Sequence, residues 1–166
     1  MELLPLLILP LLLVIAAMHD VATLTIPNWI SGLLFVSFPA LGFVFGMPVG
    51  QIGISFVVGF GFLLGGMSLF AMGWLGGGDA KLIAATALWF GWPAALTFLV
   101  YTMLAGGAAT LLLLSFRRMP VSQPVLSLSW ARRLHSTNNA LPYGVAIAVG
   151  GLIALPQSPL IVLMAG

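Results

Sequence analysis

The chain has 166 residues, of which 61% are hydrophobic and 5% charged, with a mean hydropathy of +1.21. Such proportions exclude a water-soluble domain and describe an integral membrane protein. Five basic and three acidic residues leave a net charge of +2; gathered at loops, the basic residues report topology rather than a nucleic-acid surface, and the lack of cysteine excludes disulfides, thiolate metal sites and a cysteine nucleophile.

Apolar stretches of about 20 residues recur along the chain, each able to cross a hydrocarbon core of roughly 30 Å as a helix. The first runs from Leu3 to Met18 and ends at His19-Asp20, followed by a polar turn from Val21 to Asn28 that contains Pro27. With Glu2 where a signal peptide carries positive charge, and no small-x-small site before His19, this segment reads as a retained helix. A second span starts near Trp29 and fades at Met47-Pro48, and a third runs from Ile52 to Met72. Gly73 to Lys81 follows, with consecutive glycines at Gly76, Gly77 and Gly78 that imply open backbone.

Leu82 to Phe90 is short: even a helix begun at Gly78 reaches only ~20 Å, at ~1.5 Å per residue, before Gly91-Trp92-Pro93. The fifth span, Ala94 to Phe116, ends at Arg117-Arg118, and Met119 to Leu141 is the longest polar segment, with Arg132, Arg133 and His135. Pro142 opens a sixth span that runs to about Leu155. Glycines four apart, Gly42 with Gly46 and Gly61 with Gly65, are spaced for close helix packing. The expected fold is all-α and polytopic: six transmembrane helices with a short fourth, the N-terminus outside, and residues 1–166 as a single transmembrane domain.

With six crossings and an external N-terminus, residues 19–28, 74–81 and 117–141 share one side, and all five basic residues fall there. The positive-inside rule makes that side the cytoplasm, and it brings Asp20 and Asp79 to the same face. The short fourth helix then leaves Asp79 below the membrane surface, in a dip that water reaches.

Asp20 and Asp79 are two of only three carboxylates, each at the junction of a long apolar segment with a polar one. An ionisable group at membrane depth is costly to place and marks a partner, a wet cavity or a task. Two carboxylates brought together in a low-dielectric site share a proton, so that one serves as general base on a water and the other as general acid. That is the chemistry of an aspartic protease. Asp20 lies toward a helix C-terminus, whose dipole disfavours carboxylate, and Asp79 at a helix N-terminus, which favours it, with Lys81 nearby. The resting pair is therefore expected to carry its charge on Asp79 and its proton on Asp20, as a microstate preference of a coupled pair.

Gly76-x-Gly78-Asp79, continuing Ala80-Lys81-Leu82, resembles the GxGD signature of membrane-embedded aspartic proteases and, as GxGDxKL, that of the type IV prepilin peptidases. Asp20 followed by Ile26-Pro27-Asn28 is similar to the first aspartate motif of that family. Leu141-Pro142-Tyr143-Gly144-Val145-Ala146-Ile147 resembles the PYGVAI segment of its short CpaA/TadV-like members, so the resemblance spans nearly the whole chain. It implies cleavage, after a glycine, of the short basic leader of prepilin-like substrates at the cytoplasmic face of the inner membrane of a bacterium or archaeon. Asp20 and Asp79 would be the catalytic pair. Larger members add a cysteine-bearing loop and methylate the new N-terminus; without cysteine or such an insert, this chain is expected to cleave without methyl transfer. The implied partners are the prepilin, with its leader and apolar helix, and the lipid bilayer. No cofactor, metal or nucleic acid is implied. Because the face carries Arg117, Arg118, Arg132 and Arg133 against two acidic groups, recognition is expected to rest on the apolar helix of the substrate more than on charge.

The remaining motif residues have structural and functional readings side by side. Gly76 and Gly78 let backbone approach a substrate strand or hinge two helices. Lys81 serves as a topology marker or charge partner, or else as a participant in the site, and Pro27-Asn28 and Pro142-Tyr143 serve as helix starts with an interfacial anchor, with Pro27, Asn28 and Pro142 also candidates to shape the site. His19 and His135 lack a ligand cluster for metal, and Gly-Gly-Gly-Asp-Ala-Lys-Leu lacks the Gly-Lys-[Ser/Thr] ending of a phosphate loop. A different function, a proton-coupled transporter that uses the Asp pair as a relay, requires aspartates near the midplane with access from both sides. A third, a scaffold that only binds pilin subunits, would leave both aspartates dispensable.

Overall fold

The computed structural model describes residues 7–119, 127–136 and 141–165. Glu2, the start of the first expected span at residues 3–6, and residues 120–126 and 137–140 of the long polar segment lie outside them. Among the described residues all regular structure is helical: α1 (Ile8–Thr23), α2 (Asn28–Val44), α3 (Val49–Ala71), α4 (Gly77–Arg118), α5 (Ser129–Ser136) and α6 (Tyr143–Ala154), the last followed by a 3-10 turn (Leu155–Gln157) and α7 (Pro159–Ala165). By length and apolarity α3, α4 and the run Tyr143–Leu163 each suffice to cross a membrane, and α1 and α2 are shorter apolar helices. This is the architecture of a multi-pass membrane protein.

Prolines set several of the helix starts. Pro27, Pro48 and Pro142 are the residues immediately before the first turns of α2, α3 and α6, where a missing N–H costs nothing. α1 runs beyond its expected end: Val21, Ala22 and Thr23 are helical, so Asp20 sits one turn inside the helix rather than at its edge. The helix stops at Leu24, in the left-handed conformation with φ 55°, whose N–H returns to Asp20 O at 2.7 Å. His19 Nδ1 lies 2.9 Å from Thr25 O and from Thr23 Oγ1, closing the same turn.

α4 consists of two arms, 77–90 and 93–118, separated by non-helical Gly91 (φ 57°) and Trp92. Pro93 cannot donate a hydrogen bond, so the carbonyl of Trp89 has no partner one turn on. Ser158 supplies it: its buried hydroxyl donates to Trp89 O at 2.7 Å. Across the bend Phe90 stacks on Phe98 with centroids 5.4 Å apart.

The first arm is short because it is the centre of the bundle. Every residue from Leu82 to Gly91 is buried, and α2, α3 and α6 pack around α4. A helix apolar on all sides belongs in an interior, where its ends meet protein rather than lipid. Trp89 anchors it, donating from Nε1 to Leu34 O at 2.9 Å while its ring lies 5.8 Å from that of Phe38.

Two expectations need correction. Gly61 and Gly65 do not mediate close packing: a Cβ at either would meet nothing within 4 Å. The tight crossings are at Gly59 and Gly66, where a Cβ would come within 3.1 Å of Leu88 and of Ala80 on α4. Of the first glycine pair, Gly42 packs on Ile52 and Met47, whereas Gly46 makes a turn with φ +73°. The polar segment after Arg118 also contains structure that was not expected, the helix α5, with Ala131 and Leu134 buried and Trp130 and Arg132 exposed. Arg117 Nε donates to Leu134 O at 2.9 Å, and Arg133 donates to the free C-terminal carbonyl of Ala22 on α1. Guanidinium groups there satisfy backbone at helix ends, where cations are favoured.

Candidate active site

Three helix ends converge at one end of the bundle: the last turn of α1 with Asp20, the first turn of α4 with Asp79, and the first turn of α6 with Gly144. Asp20, Asp79, Gly76, Gly77, Gly78, Asn28 and the turn Leu24 to Ile26 line one cavity of about 350 Å³. Motifs distant in sequence thus supply two carboxyls to the same small space.

Each carboxyl rests on a glycine. Asp20 is buried, and its Oδ2 accepts a hydrogen bond of 2.7 Å from the N–H of Gly144. A Cβ at Gly144 would stand 2.9 Å from that oxygen, so no larger residue permits the contact. Asp79 is the third residue of α4, and its carboxylate folds back over the residue before the helix, Gly76, whose amide faces it. That is the path of the third-position acid in a capping box. A Cβ on Gly76 would lie 2.6 Å from Asp79 Oδ2. Both the oxygen acceptors and the helix N-termini that hold them are therefore set by backbone, which does not relax as a side chain would.

Gly78 has a different reason to be glycine: a Cβ there would meet Ile26 Cβ at 3.2 Å and Ile26 O at 3.4 Å. The Ile26-Pro27-Asn28 turn is thus packed directly on the glycine turn of Asp79. A second tie joins the same two segments, Lys81 Nζ donating to Asn28 Oδ1 at 3.0 Å. The two aspartate motifs are one contact surface.

Residues 7–111 match a family model described as the type IV leader peptidase family. The chain belongs to that family. The matched segment holds both aspartates of this leader peptidase, its Ile26-Pro27-Asn28 turn and its glycine turn, but stops before α6. No curated protein and no solved structure matches the chain.

Of the residues singled out from the sequence of the leader peptidase, Asp20, Asp79, Gly76, Gly78 and Asn28 line the cavity. Lys81 stands beside it, bound to Asn28 and lining an adjoining groove. Pro27 and Pro142 do not line the cavity; each precedes a helix that carries a site residue, Asn28 and Gly144. His19 and His135 are apart, His19 in the α1 turn and His135 edge-on to Phe116 at 5.5 Å. Among the described residues no group of three His, Cys, Asp or Glu side chains forms a metal site.

Sequence reasoning missed Gly144, Tyr143 and Ile26 as site-building residues of the peptidase. Tyr143 wedges α6 against the second arm of α4, and a Cβ at Gly106 would meet its ring at 2.8 Å. The Pro142-Tyr143-Gly144 run is plain in the sequence, but proline by itself accounts for a helix start there, and nothing local ties the glycine two residues on to Asp20.

Proposed function

We propose that the protein is a membrane-embedded aspartic endopeptidase that removes the basic leader of type IV prepilins of the Flp/Tad kind, as a short CpaA/TadV-like family member without methyl transfer. The observation that carries this reading is the meeting of Asp20 and Asp79 in one cavity at the ends of their helices. Both belong to the family-matched segment. A relay for transport draws no support from that placement, which is at one end of the bundle.

In the mechanism, the carboxyls hold one proton and one water between them. Asp79, the member of the pair expected to carry the charge, is the carboxylate that takes a proton from the water as the hydroxyl attacks the scissile carbonyl. Asp20 gives its proton to the carbonyl oxygen. Collapse of the tetrahedral species returns a proton to the leaving amine, and the pair is restored for the next water. Gly76 lets Asp79 fold back over the turn and Gly78 admits Ile26 beside it, and the amides of Gly76 and Gly144 fix the carboxyls in place.

The chain acts as one unit that crosses the membrane six times with its N-terminus outside, in the inner membrane of a bacterium or archaeon. The active site then faces the cytoplasm, as Lys81, Arg117 and Arg133 at the same end of the bundle support. The test is cleavage of a coexpressed prepilin by wild type, Asp20→Asn and Asp79→Asn. Wild type is expected to remove the leader and both variants to leave it on; processing at the normal rate by either variant would falsify the dyad.

A further inference from the structure

A second, apolar cavity adjoins the aspartate site. Away from the site α2 and α3 meet, with Phe35 edge-on to Phe56 at 5.5 Å and Ile52 under Gly42. Between that closure and the site lies a groove of about 370 Å³, walled by Ser31 and Gly32 of α2 and Phe60 and Leu63 of α3, and floored by Ala84 and Ala85 of α4. Asn28 lines both this groove and the aspartate cavity. From Asn28 to Phe35 the groove follows α2 for about 10 Å, or two helical turns at ~1.5 Å per residue.

Resting on the peptidase reading above, we propose that this groove seats the first two turns of the substrate's apolar helix immediately beyond the scissile bond. The volume suits the side chains along one face of a helix, not a whole helix. Small residues on the wall and floor, Ser31, Gly32, Ala84 and Ala85, are those that let a second helix backbone come close within a membrane, whereas an acyl chain has no need of them. Continuity through Asn28 fixes the direction: a segment extended over the aspartates passes Asn28 and becomes helical in the groove.

The polar group at the junction fits the same passage. Lys81 lines the groove, and its Nζ uses one of its three N–H donors on Asn28 Oδ1, at 3.0 Å. The residues of a peptide that are still extended just before it enters a helix there present carbonyls without intrachain partners, whereas the first turn of the helix itself leaves only N–H groups open. The ammonium donates to one of those carbonyls and marks the boundary between the cleaved and the helical part of the substrate. Specificity then comes from shape and apolar length on the mature side of the bond.

Gly32 permits a clean test, because a Cβ there meets nothing within 4 Å and a leucine fills the groove without displacing the protein. Two probes are compared on the purified full chain in proteoliposomes: a model substrate with a basic leader, a glycine and about 20 apolar residues, and a soluble peptide with the same leader that stops shortly after the glycine. Gly107→Leu, also at a position with open space and on the second arm of α4, is the control. Gly32→Leu is expected to raise KM for the long substrate at least tenfold and to leave cleavage of the short peptide unchanged, with Gly107→Leu like wild type on both. The short peptide thereby certifies that the variant is folded.

If Gly32→Leu handles the long substrate as wild type does, while Asp79→Asn is inactive, the groove assignment falls and the peptidase stands. No cleavage of either probe by wild type overturns both. A Gly32→Leu defect that vanishes in lipid-free detergent and returns on adding phospholipid assigns the groove to a lipid and overturns the peptide assignment.

Discussion

Alanine at position 144 would test the seat of Asp20 directly. Its methyl carbon would stand 2.9 Å from Asp20 Oδ2 and 3.0 Å from Asp20 Cβ, whereas carbon atoms pack without strain at about 3.5–4.0 Å. The carboxyl must therefore retreat by roughly half an ångström to one ångström, and the 2.7 Å hydrogen bond from the Gly144 amide lengthens or breaks. A hydrogen bond to a neutral carboxyl, as Asp20 is at rest in the proposed cycle, contributes about 0.5–1.5 kcal/mol, and a displacement of about 1 Å at a reacting group costs ~100-fold in rate. Taken together these give a fall in kcat of about 10- to 100-fold. Helix stability does not fall with it, since alanine is a better helix residue than glycine by up to ~1 kcal/mol. The assay is a time course of leader removal by purified protein in proteoliposomes, with kcat and KM separated and the melting temperature measured on the same samples. Wild-type kcat in a folded Gly144→Ala protein would show that Asp20 does not work from this seat.

Gly76→Ala places a methyl 2.6 Å from Asp79 Oδ2 and is expected to lower kcat at least as far as Gly144→Ala does, in the same time course. Ser158→Ala removes the hydroxyl that satisfies Trp89 O at the bend; it should cost about 1–3 kcal/mol of stability, read as a lower melting temperature, with kcat unchanged because the bend is remote from the aspartates. Arg133→Ala frees the Ala22 carbonyl and one end of α5, and limited chymotrypsin digestion is expected to cut after Trp130 faster than in wild type.

Much of this arrangement is legible in the sequence for physical reasons. Long apolar runs broken by Pro27, Pro48, Gly91-Trp92-Pro93 and Pro142 mark helix limits, because a residue without an N–H is tolerated best at a helix start, although Pro39 is carried inside α2 and Gly59 and Gly66 inside α3. Asp20 and Asp79 are conspicuous because charge is scarce. What could not be read is contact across the bundle. Gly144 serves Asp20 and Gly78 serves Ile26 through distances that no local pattern encodes, and Gly61 and Gly65 have the spacing of a packing motif yet face open space because α3 turns its other side to α4. α5 escaped because eight residues offer too short a period to stand out, although Ala131 and Leu134 fall on one face. His19-Asp20 has the look of a polar stop, yet α1 continues to Thr23, because a buried aspartate bound by an amide can remain inside a helix.

The hydrogen bond that secures Asp20 comes from a residue more than a hundred positions downstream. During synthesis the ribosome delivers both acids long before it delivers their anchor, so a nascent fragment ending anywhere short of α6 holds Asp20 without its tether. Under the proposed dyad, cleavage therefore waits until α6 has docked and brought the Gly144 amide to Asp20.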